Sequence, residues 1–310
     1  MASPAPIAAI VGPTGSGKTD LALALARRLP VEILVADSRQ VYRGMEIGTA
    51  QPDRAARAAV THHLLDLVAP NEPFSVADWV AAARAAVAEV VGRGRLPLLV
   101  GGSGLYVAAL VDGYELELGA PDPVRRAELA ATLARGGIAA LAGRLMRADP
   151  DAARRIDLRN PRRVTRALER AEAIGRGSPP EPSPWPGRVA MIGIGRPRDV
   201  LNQRIDARAV WLFGHGLLDE ARALLEAGHD PRRRPFTSHG YGEAARYLAG
   251  EWSLERAVSV TAQRTRQHAK RQATWFRRDR RIVWIAAGEA PADAPAVVDE
   301  AERVLRALLA

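Results

Sequence analysis

The sequence GPTGSGKT at residues 12–19 is the stretch whose residue types and spacing most directly indicate chemistry. It lies between a short apolar run, residues 7–11, and an Ala/Leu-rich segment, residues 20–29, which predicts the order strand, glycine loop, helix. Glycines permit backbone angles that turn successive N–H groups inward around a phosphate oxygen, and the positive end of the following helix adds to the attraction. The loop therefore predicts a site for a di- or triphosphate.

Two side chains of this loop have chemistry of their own. Lys18 supplies a mobile positive charge for the outer phosphate, and Thr19 supplies a hydroxyl that can ligate Mg²⁺ held between phosphate oxygens. Mg²⁺ is thus the predicted cofactor, with Thr19 as its ligand. The predicted phosphate-binding residues are Gly12, Pro13, Thr14, Gly15, Ser16, Gly17, Lys18 and Thr19. A glycine turn that binds nothing is the alternative, and the flanking strand and helix patterns argue against it.

The carboxylate of Asp37 follows the next apolar run, residues 31–36. In open α/β sheets ligands bind at the carboxyl ends of the strands, so we expect Asp37 and the phosphate loop at the same sheet edge. The third strand-like run, residues 95–100, ends in Gly101 and Gly102 instead of the aspartate with which many NTPases hold their metal. Asp37 is therefore left for another task, or serves as an outer partner of the metal.

Other kinds of catalytic site find little support. The chain has no cysteine, which excludes disulfides and thiolate metal sites and suits a reducing cytosol. Its six histidines show neither H-E-x-x-H spacing nor the surroundings of a Ser-His-Asp triad. They are expected to be structural, with His239 a candidate contact in its loop.

Length and composition indicate a globular protein. The chain has 310 residues, of which 47% are hydrophobic and 25% charged, enough for one large domain or one domain with an insertion. The N-terminus lacks the features of a signal peptide, and no apolar run approaches the ~20 residues of a membrane span. We therefore expect a cytoplasmic protein that does not contact a membrane.

Basic residues concentrate on two predicted helices. Arg162, Arg166 and Arg170 recur at every fourth position and so share one helix face. The helical stretch 254–279 interleaves arginines with Trp275, a mixture that suits a phosphate backbone with unstacked bases nearby. The formal net charge of +9 agrees with a polyanionic partner such as nucleic acid. The alternative is a solvated basic surface with Trp275 in the core.

The pattern along the chain predicts the scaffold that positions these groups. Further strands are predicted at 189–194 and 282–285, and helices at 53–59, 74–91, 199–227 with an interruption near 213–216, 254–279 and 294–309. Between 113 and 187 only helical segments and a proline-rich connector, residues 175–187, are indicated. The predicted fold class is α/β: a P-loop NTPase-like parallel sheet flanked by helices, residues 1–112 and 188–310, with an inserted all-helical domain, residues 113–187.

Four motifs together resemble the tRNA dimethylallyltransferase (isopentenyltransferase) family. They are the phosphate loop at 12–19, DSRQVYRGMEIGT at 37–49, GGSGLY at 101–106 and RQHAKRQATWFR at 266–277. The first is shared by many NTPases and kinases, whereas the second and fourth are far more specific. Order and spacing fit over nearly the whole chain, including the helical insertion.

The resemblance implies transfer of a dimethylallyl group from dimethylallyl diphosphate to N6 of the adenosine 3′-adjacent to the anticodon of a tRNA, with Mg²⁺. The diphosphate would then occupy the phosphate loop. In this family the carboxylate matching Asp37 is the general base, and the arginine matching Arg208 stabilises the leaving diphosphate with Lys18 and Thr19. Ser103 matches a position at the substrate that is usually Thr.

The resemblance also implies the tRNA contacts. They match Asp37, Ser38, Arg39, Gln40, Ser103, Arg125, Arg162, Arg163, Val164, Thr165, Arg166, Thr237, Ser238, His239, Gly240, Tyr241, Gly242, Lys270, Arg271, Gln272, Trp275 and Arg277. The loop at 237–242 departs from the family pattern, which usually has a basic or polar residue at its start and a basic one after Gly-Tyr. The implied partners are the tRNA anticodon stem-loop and dimethylallyl diphosphate, with no obligate protein partner.

Two further activities are compatible with the same loop. A prenyltransferase that acts on free adenine nucleotides would have no use for the basic insertion or for the basic, aromatic helix. A P-loop small-molecule kinase would transfer phosphate from ATP and leave dimethylallyl diphosphate unconsumed. A module that only binds RNA would have no use for the phosphate loop.

Overall fold

The computed structural model describes residues 4–114, 122–174, 182–232 and 236–310. The chain forms two compact units. We name them the core unit, Met1–Gly113 with Pro184–Ala310, and the inserted unit, Tyr114–Ser183. The expected connector at 175–187 lies partly outside the described residues, which omit 175–181.

The core unit is built on a six-stranded sheet in which all paired neighbours are parallel. The strands are β1 (Ile7–Val11), β2 (Val31–Val35), β3 (His62–His63), β4 (Leu96–Gly101), β5 (Val189–Gly195) and β6 (Ile282–Ala286). Their order across the sheet is β3-β2-β4-β1-β5-β6. The predicted fold class is thereby confirmed. Because the strands are parallel, their carboxyl ends share one edge, with β1 between β4 and β5.

Helices connect the strands, as parallel pairing requires. Those of the core unit are α1 (Lys18–Ala26), α2 (Glu46–Thr49), α3 (Arg54–Ala59), α4 (Val76–Gly92), α5 (Gly104–Val111), α9 (Arg198–Gly214), α10 (Leu217–Glu226), α11 (Tyr241–Leu248), α12 (Leu254–Phe276) and α13 (Pro295–Leu309). Those of the inserted unit are α6 (Pro123–Ala148), α7 (Pro150–Arg155) and α8 (Pro161–Ile174).

The main hydrophobic core lies on one face of the sheet. Ile10, Leu98 and Ile192 of three strands are fully buried there, against Leu21 of α1 and Val298 of α13. The opposite face is covered as well, so all five residues of β1 are buried. Burial on both faces explains why the strands read as continuous apolar runs, with polar residues only where they end.

Glu32 is the exception, a charged side chain inside β2 that is only 5% exposed. Its carboxylate accepts two hydrogen bonds from Arg93, at 3.0 and 2.7 Å, and lies 2.7 Å from Nε2 of His63 on the neighbouring strand. The Arg93 guanidinium is the main cause that lowers the pKa of Glu32 to about 2, with His63 adding to it. This cluster ties β2 to β3 and to the end of α4.

Replacing Glu32 with glutamine is expected to lower the free energy of unfolding by about 1–2 kcal/mol, since Arg93 is half exposed and solvent screens the pair. The folded pKa lies below the unfolded one, so the stabilisation is full above about pH 4.5 and disappears as the pH falls towards 2. Urea unfolding of both proteins between pH 7 and 3 checks this. Glu89→Gln, at an exposed carboxylate 4.0 Å from Arg93, is the matched control. If Glu32→Gln lowered the free energy of unfolding by as much at pH 3 as at pH 7, the stabilisation would not come from the ionised carboxylate of Glu32.

The inserted unit has its own small core. Leu129, Leu141 and Leu145 of α6 pack against Val164 and Leu168 of α8. Helix α6 is interrupted at Gly137, whose backbone angles of φ 64° and ψ −172° are not helical. Two adjacent glycines, Gly136 and Gly137, favour the end of a helix, which accounts for the interruption at this point.

Three helices among the described residues, α2, α5 and α11, were not predicted, because the glycines in or before them are more typical of turns. In residues 101–106, where three glycines favour a turn, α5 begins at Gly104. Tyr241 was expected in a loop, but it is fully buried and begins α11, where Glu243 accepts a hydrogen bond of 2.8 Å from the N–H of Gly240. None of the described helices is long and apolar enough to span a membrane.

Candidate active site

The phosphate loop connects β1 to α1 with the backbone geometry that its glycines predict. Gly12, Gly15 and Gly17 have φ angles of 141°, 85° and 99°, which side chains rarely adopt. Gly17 is the N-cap of α1, so the positive end of that helix faces the loop. The ammonium of Lys18 turns back and donates a hydrogen bond of 2.9 Å to the carbonyl of Pro13.

Three side chains from distant parts of the chain hold this loop in place. Gln272 of α12 is buried; its Oε1 accepts a hydrogen bond of 2.8 Å from the N–H of Thr14, and its Nε2 donates one of 2.9 Å to the carbonyl of Gly102. Arg196 donates to the carbonyl of Ser16 at 2.7 Å, and Arg204 to that of Gly15 at 2.9 Å. The loop is therefore preorganised before any ligand binds.

Asp37 lies beside the loop, just after the end of β2. One of its carboxylate oxygens accepts a hydrogen bond of 2.8 Å from the N–H of Arg39, and the hydroxyl of Ser103 accepts one of 2.9 Å from the N–H of Ser38. The ends of β2 and β4 approach so closely that a Cβ at Gly101 would lie 2.0 Å from the carbonyl oxygen of Ala36. This close approach explains why β4 ends in glycine.

Two cavities of the core unit meet at these residues. The loop cavity has a volume of 160 Å³ and is lined by Thr14, Gly15, Gly17, Lys18, Thr19, Asp37, Gln40, Arg204 and Arg208, with apolar residues of β2 and β4. The second cavity has a volume of 380 Å³ and is lined by Ser38, Arg39, Ser103, Thr237, Ser238, His239, His268 and Arg271 among others. Thr14, Asp37, Thr49 and Arg208 line both cavities. A reaction between two ligands, one in each cavity, would therefore take place beside Asp37 and Arg208.

The electrostatics favour an anion in the loop cavity. Burial lowers the pKa of Lys18 to about 8, although the nearby Asp37 opposes the shift. Burial also lowers the pKa of Arg208, which has no hydrogen-bond or ion-pair partner among the described residues. Neither cation forms an ion pair with a carboxylate among the described residues, and two partly buried charges of this kind are costly unless a ligand supplies further negative charge.

The second cavity presents two neutral imidazoles. The rings of His239 and His268 lie 5.4 Å apart. Burial, reinforced by His268 and nearby arginines, lowers the pKa of His239 to about 4, and burial likewise lowers the pKa of His268. Both rings are therefore uncharged at neutral pH and can donate or accept hydrogen bonds without adding charge.

The remaining predicted tRNA-binding residues of the core unit fall into two groups. Lys270, Arg271, Trp275 and Arg277 are exposed along α12, and the edge of the Trp275 ring packs over Gly104. Trp275 is thus a surface residue, 43% exposed, and not part of the core. In contrast, the side chains of Ser238, Tyr241 and Gln272 are buried, with Gly240, and Gly242 lies at the start of α11.

In the inserted unit the predicted residues also differ in exposure. Arg162 and Arg163 are exposed at the start of α8, whereas Val164 is fully buried in the unit's core and Thr165 is partly buried. Arg166 forms an ion pair of 3.0 Å with Glu169, and Arg125 one of 2.8 Å with Glu128. Part of the basic face is therefore neutralised within the unit.

Sequence reasoning missed several residues of this site. Arg204 lies one helix turn before Arg208, and that spacing was the available signal. Arg196 and His268 had no signal, because their roles depend on contacts across the fold. Glu220 of α10 was also missed. Its carboxylate accepts hydrogen bonds from the N–H groups of Ile47 and Gly48, at 2.9 and 3.0 Å, and thereby fixes α2, whose last residue, Thr49, lines both cavities.

Comparisons with known proteins agree on one family. The model of the family "IPP transferase" matches residues 40–279, and that of "Isopentenyl transferase" matches residues 5–66. A tRNA dimethylallyltransferase of Roseiflexus castenholzii is 46% identical over 97% of this chain and 97% of its own length. One of a Nocardioides species is 44% identical over 98% of this chain and 97% of its own.

Solved structures show the same similarity. The tRNA isopentenylpyrophosphate transferase of Bacillus halodurans has a TM-score of 0.74 at 39% identity, and the match covers 98% of this chain and 96% of that one. A eukaryotic dimethylallyltransferase acting on tRNA has a TM-score of 0.78 at 23% identity over 92% of this chain and 74% of its own, which shows a shared fold. Matches that span nearly the whole of the chain leave one conclusion: it belongs to the IPP transferase family, together with the tRNA dimethylallyltransferases.

Proposed function

We propose that this protein transfers the dimethylallyl group of dimethylallyl diphosphate to N6 of the adenosine 3′-adjacent to the anticodon of tRNA and releases diphosphate. The observation that carries the proposal is the pair of cavities that share Asp37 and Arg208. The loop cavity suits a diphosphate, and the second cavity, with polar groups and two neutral imidazoles, suits a nucleobase. Family membership supports the same assignment.

Asp37 is the proposed general base. The N6 lone pair of adenine is delocalised into the ring, so the amino group is a poor nucleophile. A carboxylate that accepts its proton while the C–N bond forms provides the missing drive. The hydrogen bonds at Arg39 N–H and at Ser103 fix the turn that carries this carboxylate between the two cavities. To reach it, the adenine must leave the stack of the anticodon loop.

The leaving diphosphate is stabilised by groups already in position. As the C–O bond breaks, negative charge grows on the diphosphate between the loop N–H groups, Lys18 and Arg208. Arg208 is the one cation among the described residues that lines both cavities, so we place its charge where the C–O bond breaks and the C–N bond forms. Gln272, Arg196 and Arg204 act indirectly, since they hold the loop backbone.

The residues also fit the proposed Mg²⁺. This ion prefers oxygen ligands, keeps several waters, and usually binds through one or two protein groups plus substrate phosphates. Thr19 and Asp37 supply such oxygens in one cavity. Among the described residues no group of three or more His, Asp and Glu side chains could hold an ion alone. The donors thus suit an ion that binds with the diphosphate, and when bound it would neutralise part of the charge of the leaving group.

The affinity for diphosphate is expected to weaken as the pH rises through 8. Only the charged form of Lys18 attracts the phosphate, and its pKa of about 8 means that the free site loses this charge in mildly alkaline solution. Between pH 7 and 9 the dissociation constant of inorganic pyrophosphate should rise about tenfold relative to Lys18→Arg, which stays charged. Titration calorimetry of both proteins at each pH gives the ratio of the wild-type dissociation constant to that of Lys18→Arg. The ionisation of pyrophosphate affects both constants alike and cancels in this ratio. A constant ratio would show that Lys18 is charged throughout.

The exposed arginines at the start of α8 are proposed to contact tRNA phosphates. Arg163→Ala is expected to weaken tRNA binding and to reduce the slope of log K against log salt by about 0.7–0.9, the value for one lost phosphate contact. Arg135→Ala, at an exposed arginine of α6 in the same unit, is the matched control. Equal slopes for both variants would assign Arg163 to a solvated face.

One assay separates this proposal from the two other activities. The protein is incubated with dimethylallyl diphosphate and labelled ATP in the presence of either unmodified tRNA or AMP. We expect diphosphate release that depends on tRNA and no phosphate transfer from ATP. Phosphate transfer without consumption of dimethylallyl diphosphate would instead identify a kinase, and prenylation of AMP but not tRNA would identify a nucleotide prenyltransferase.

A further inference from the structure

A third cavity, with a volume of 730 Å³, lies in the core unit between the carboxyl end of β5, the start of α9 and helix α12. Its size is that of a small-molecule site. Its described lining residues include Pro13 of the phosphate loop but none that line the loop cavity or the second cavity. It is therefore a separate site on the other side of α12, and of its lining residues only Lys270 and Arg277 are among the predicted tRNA contacts.

The floor of this cavity is apolar and aromatic. The indole of Trp284 packs so closely on β5 that a Cβ at Gly193 would lie 2.7 Å from the ring. Glycine at this position thus makes room for the indole, which together with Leu201 and Ala273 lines the cavity. A flat aromatic surface of this kind favours the stacking of another planar ring.

The rim of the cavity is positively charged. Arg198, Lys270 and Arg277 are exposed, and none of their side chains forms a hydrogen bond or an ion pair with the residues that the structure describes. No described carboxylate lines the cavity. The two other arginines of the lining are engaged, Arg266 with Asp206 and Arg196 with backbone carbonyls. Three available cations around an aromatic floor suit an anion that carries a planar ring.

Neutral polar groups complete the lining. Asn202, Gln263 and Gln267 offer amide donors and acceptors between the floor and the rim. Such amides can hydrogen-bond the edge of an unstacked base. The lining therefore matches the three parts of a nucleotide. The aromatic floor suits the face of the base, the amides suit its edge, and the cationic rim suits its phosphate.

A groove across α12 connects this cavity with the second cavity. Lys270, Thr274 and Gln267 line both the third cavity and the groove, whose other residues include Trp275. Arg271 lines both the groove and the second cavity. A single strand that leaves the second cavity and crosses α12 would follow cationic and aromatic side chains directly into the third cavity.

We propose that the third cavity is a second nucleotide subsite, which takes an unstacked base and its phosphate from the same RNA strand that delivers the target adenosine. The proposal rests on the proposed function, since it requires that RNA occupies the second cavity. It adds a contact with a second nucleotide of the RNA, at a distance from the reacting atoms. The subsite would raise affinity for tRNA and leave the chemical step untouched.

Two variants test the subsite in the full chain. Arg198→Glu reverses a rim charge at the first residue of α9, where a carboxylate suits the helix dipole. Gly195→Val fills the cavity from β5, where a Cβ makes only ordinary contacts, the nearest at 3.6 Å. We expect each variant to raise the dissociation constant and KM for tRNA about tenfold, with kcat and pyrophosphate affinity unchanged. Arg198→Glu should also reduce the salt slope of tRNA binding by about one.

The control is Arg303→Glu, the same charge reversal at an exposed residue of α13, on the opposite face of the sheet. In addition, tRNA carrying photoreactive uridines in the anticodon loop should cross-link to the peptide containing Trp284 in the wild type and not in Gly195→Val. Equal tRNA affinities for Arg198→Glu and Arg303→Glu would overturn the subsite. So would AMP binding that depends on Arg198 without any effect on tRNA, since the site would then serve a free nucleotide. If wild-type protein binds tRNA but prenylates none, the proposed function fails while the binding test still stands.

Discussion

Asp37→Asn is expected to lower kcat for dimethylallyl transfer by a factor of about 10² to 10⁴, the range for loss of a general base. The substitution keeps the size of the side chain and its ability to accept a hydrogen bond from the N–H of Arg39. What it removes is the carboxylate that we propose takes the proton from N6. Single-turnover assays with saturating tRNA and dimethylallyl diphosphate measure the chemical step directly.

Binding should be nearly unaffected in this variant. The dissociation constants for tRNA, and for pyrophosphate in the absence of Mg²⁺, are expected to change little, because the loop, Lys18 and the basic surface of α12 remain. Asp199→Asn, at an exposed aspartate in the first turn of α9, is the matched control. A variant at position 37 that retains wild-type turnover would remove Asp37 from the mechanism.

Arg208→Gln is expected to lower kcat by a factor of about 10² to 10³, the loss found when one donor to a developing negative charge is removed. Arg208 is partly buried, faces both cavities and has no protein partner among the described residues, so its charge is available to the ligand. The loss should appear mainly in kcat, because charge on the diphosphate increases as its bond to carbon breaks. The affinity for tRNA should stay within about twofold of the wild type.

Two comparison variants make this result specific. Arg84→Gln, at an exposed arginine of α4, should have wild-type kinetics. Arg204→Gln removes the hydrogen bond to the carbonyl of Gly15, so it should weaken pyrophosphate binding, with a smaller effect on the chemical step. If Arg208→Gln raised only KM, Arg208 would stabilise the bound substrate and the transition state equally and would not accelerate the chemical step.

The sequence predicted those parts of the fold that depend on local patterns. Continuous apolar runs identified β1, β2, β4, β5 and β6, since strands of a parallel sheet are buried on both faces. The glycine spacing at 12–19 and the position of Asp37 at a strand end predicted which groups share the sheet edge. Strand β3 was missed because it has only two residues, His62 and His63, and carries no periodic signal.

The contacts that hold the site together were beyond sequence reasoning. Gln272 was predicted to bind tRNA, yet it is buried and joins Thr14 to Gly102 across more than 150 residues of chain. Arg196 reaches Ser16 from a strand end 180 positions away. Such contacts follow from the packing of α12 and β5 against the loop, and no local pattern encodes them. Motif matching located the same segments but could not separate exposed from buried positions, as Val164 beside Arg163 illustrates.

The central claim is that dimethylallyl diphosphate and a tRNA adenosine react beside Asp37. The most direct test is incubation of the protein with dimethylallyl diphosphate, Mg²⁺ and unmodified tRNA, followed by digestion and mass analysis of the nucleosides and of the anticodon-loop fragment. The account predicts one dimethylallyl group on N6 of the adenosine 3′-adjacent to the anticodon, and none when Asp37→Asn replaces the wild type for the same time. An unmodified tRNA, or a prenyl group on any other nucleoside, would contradict it.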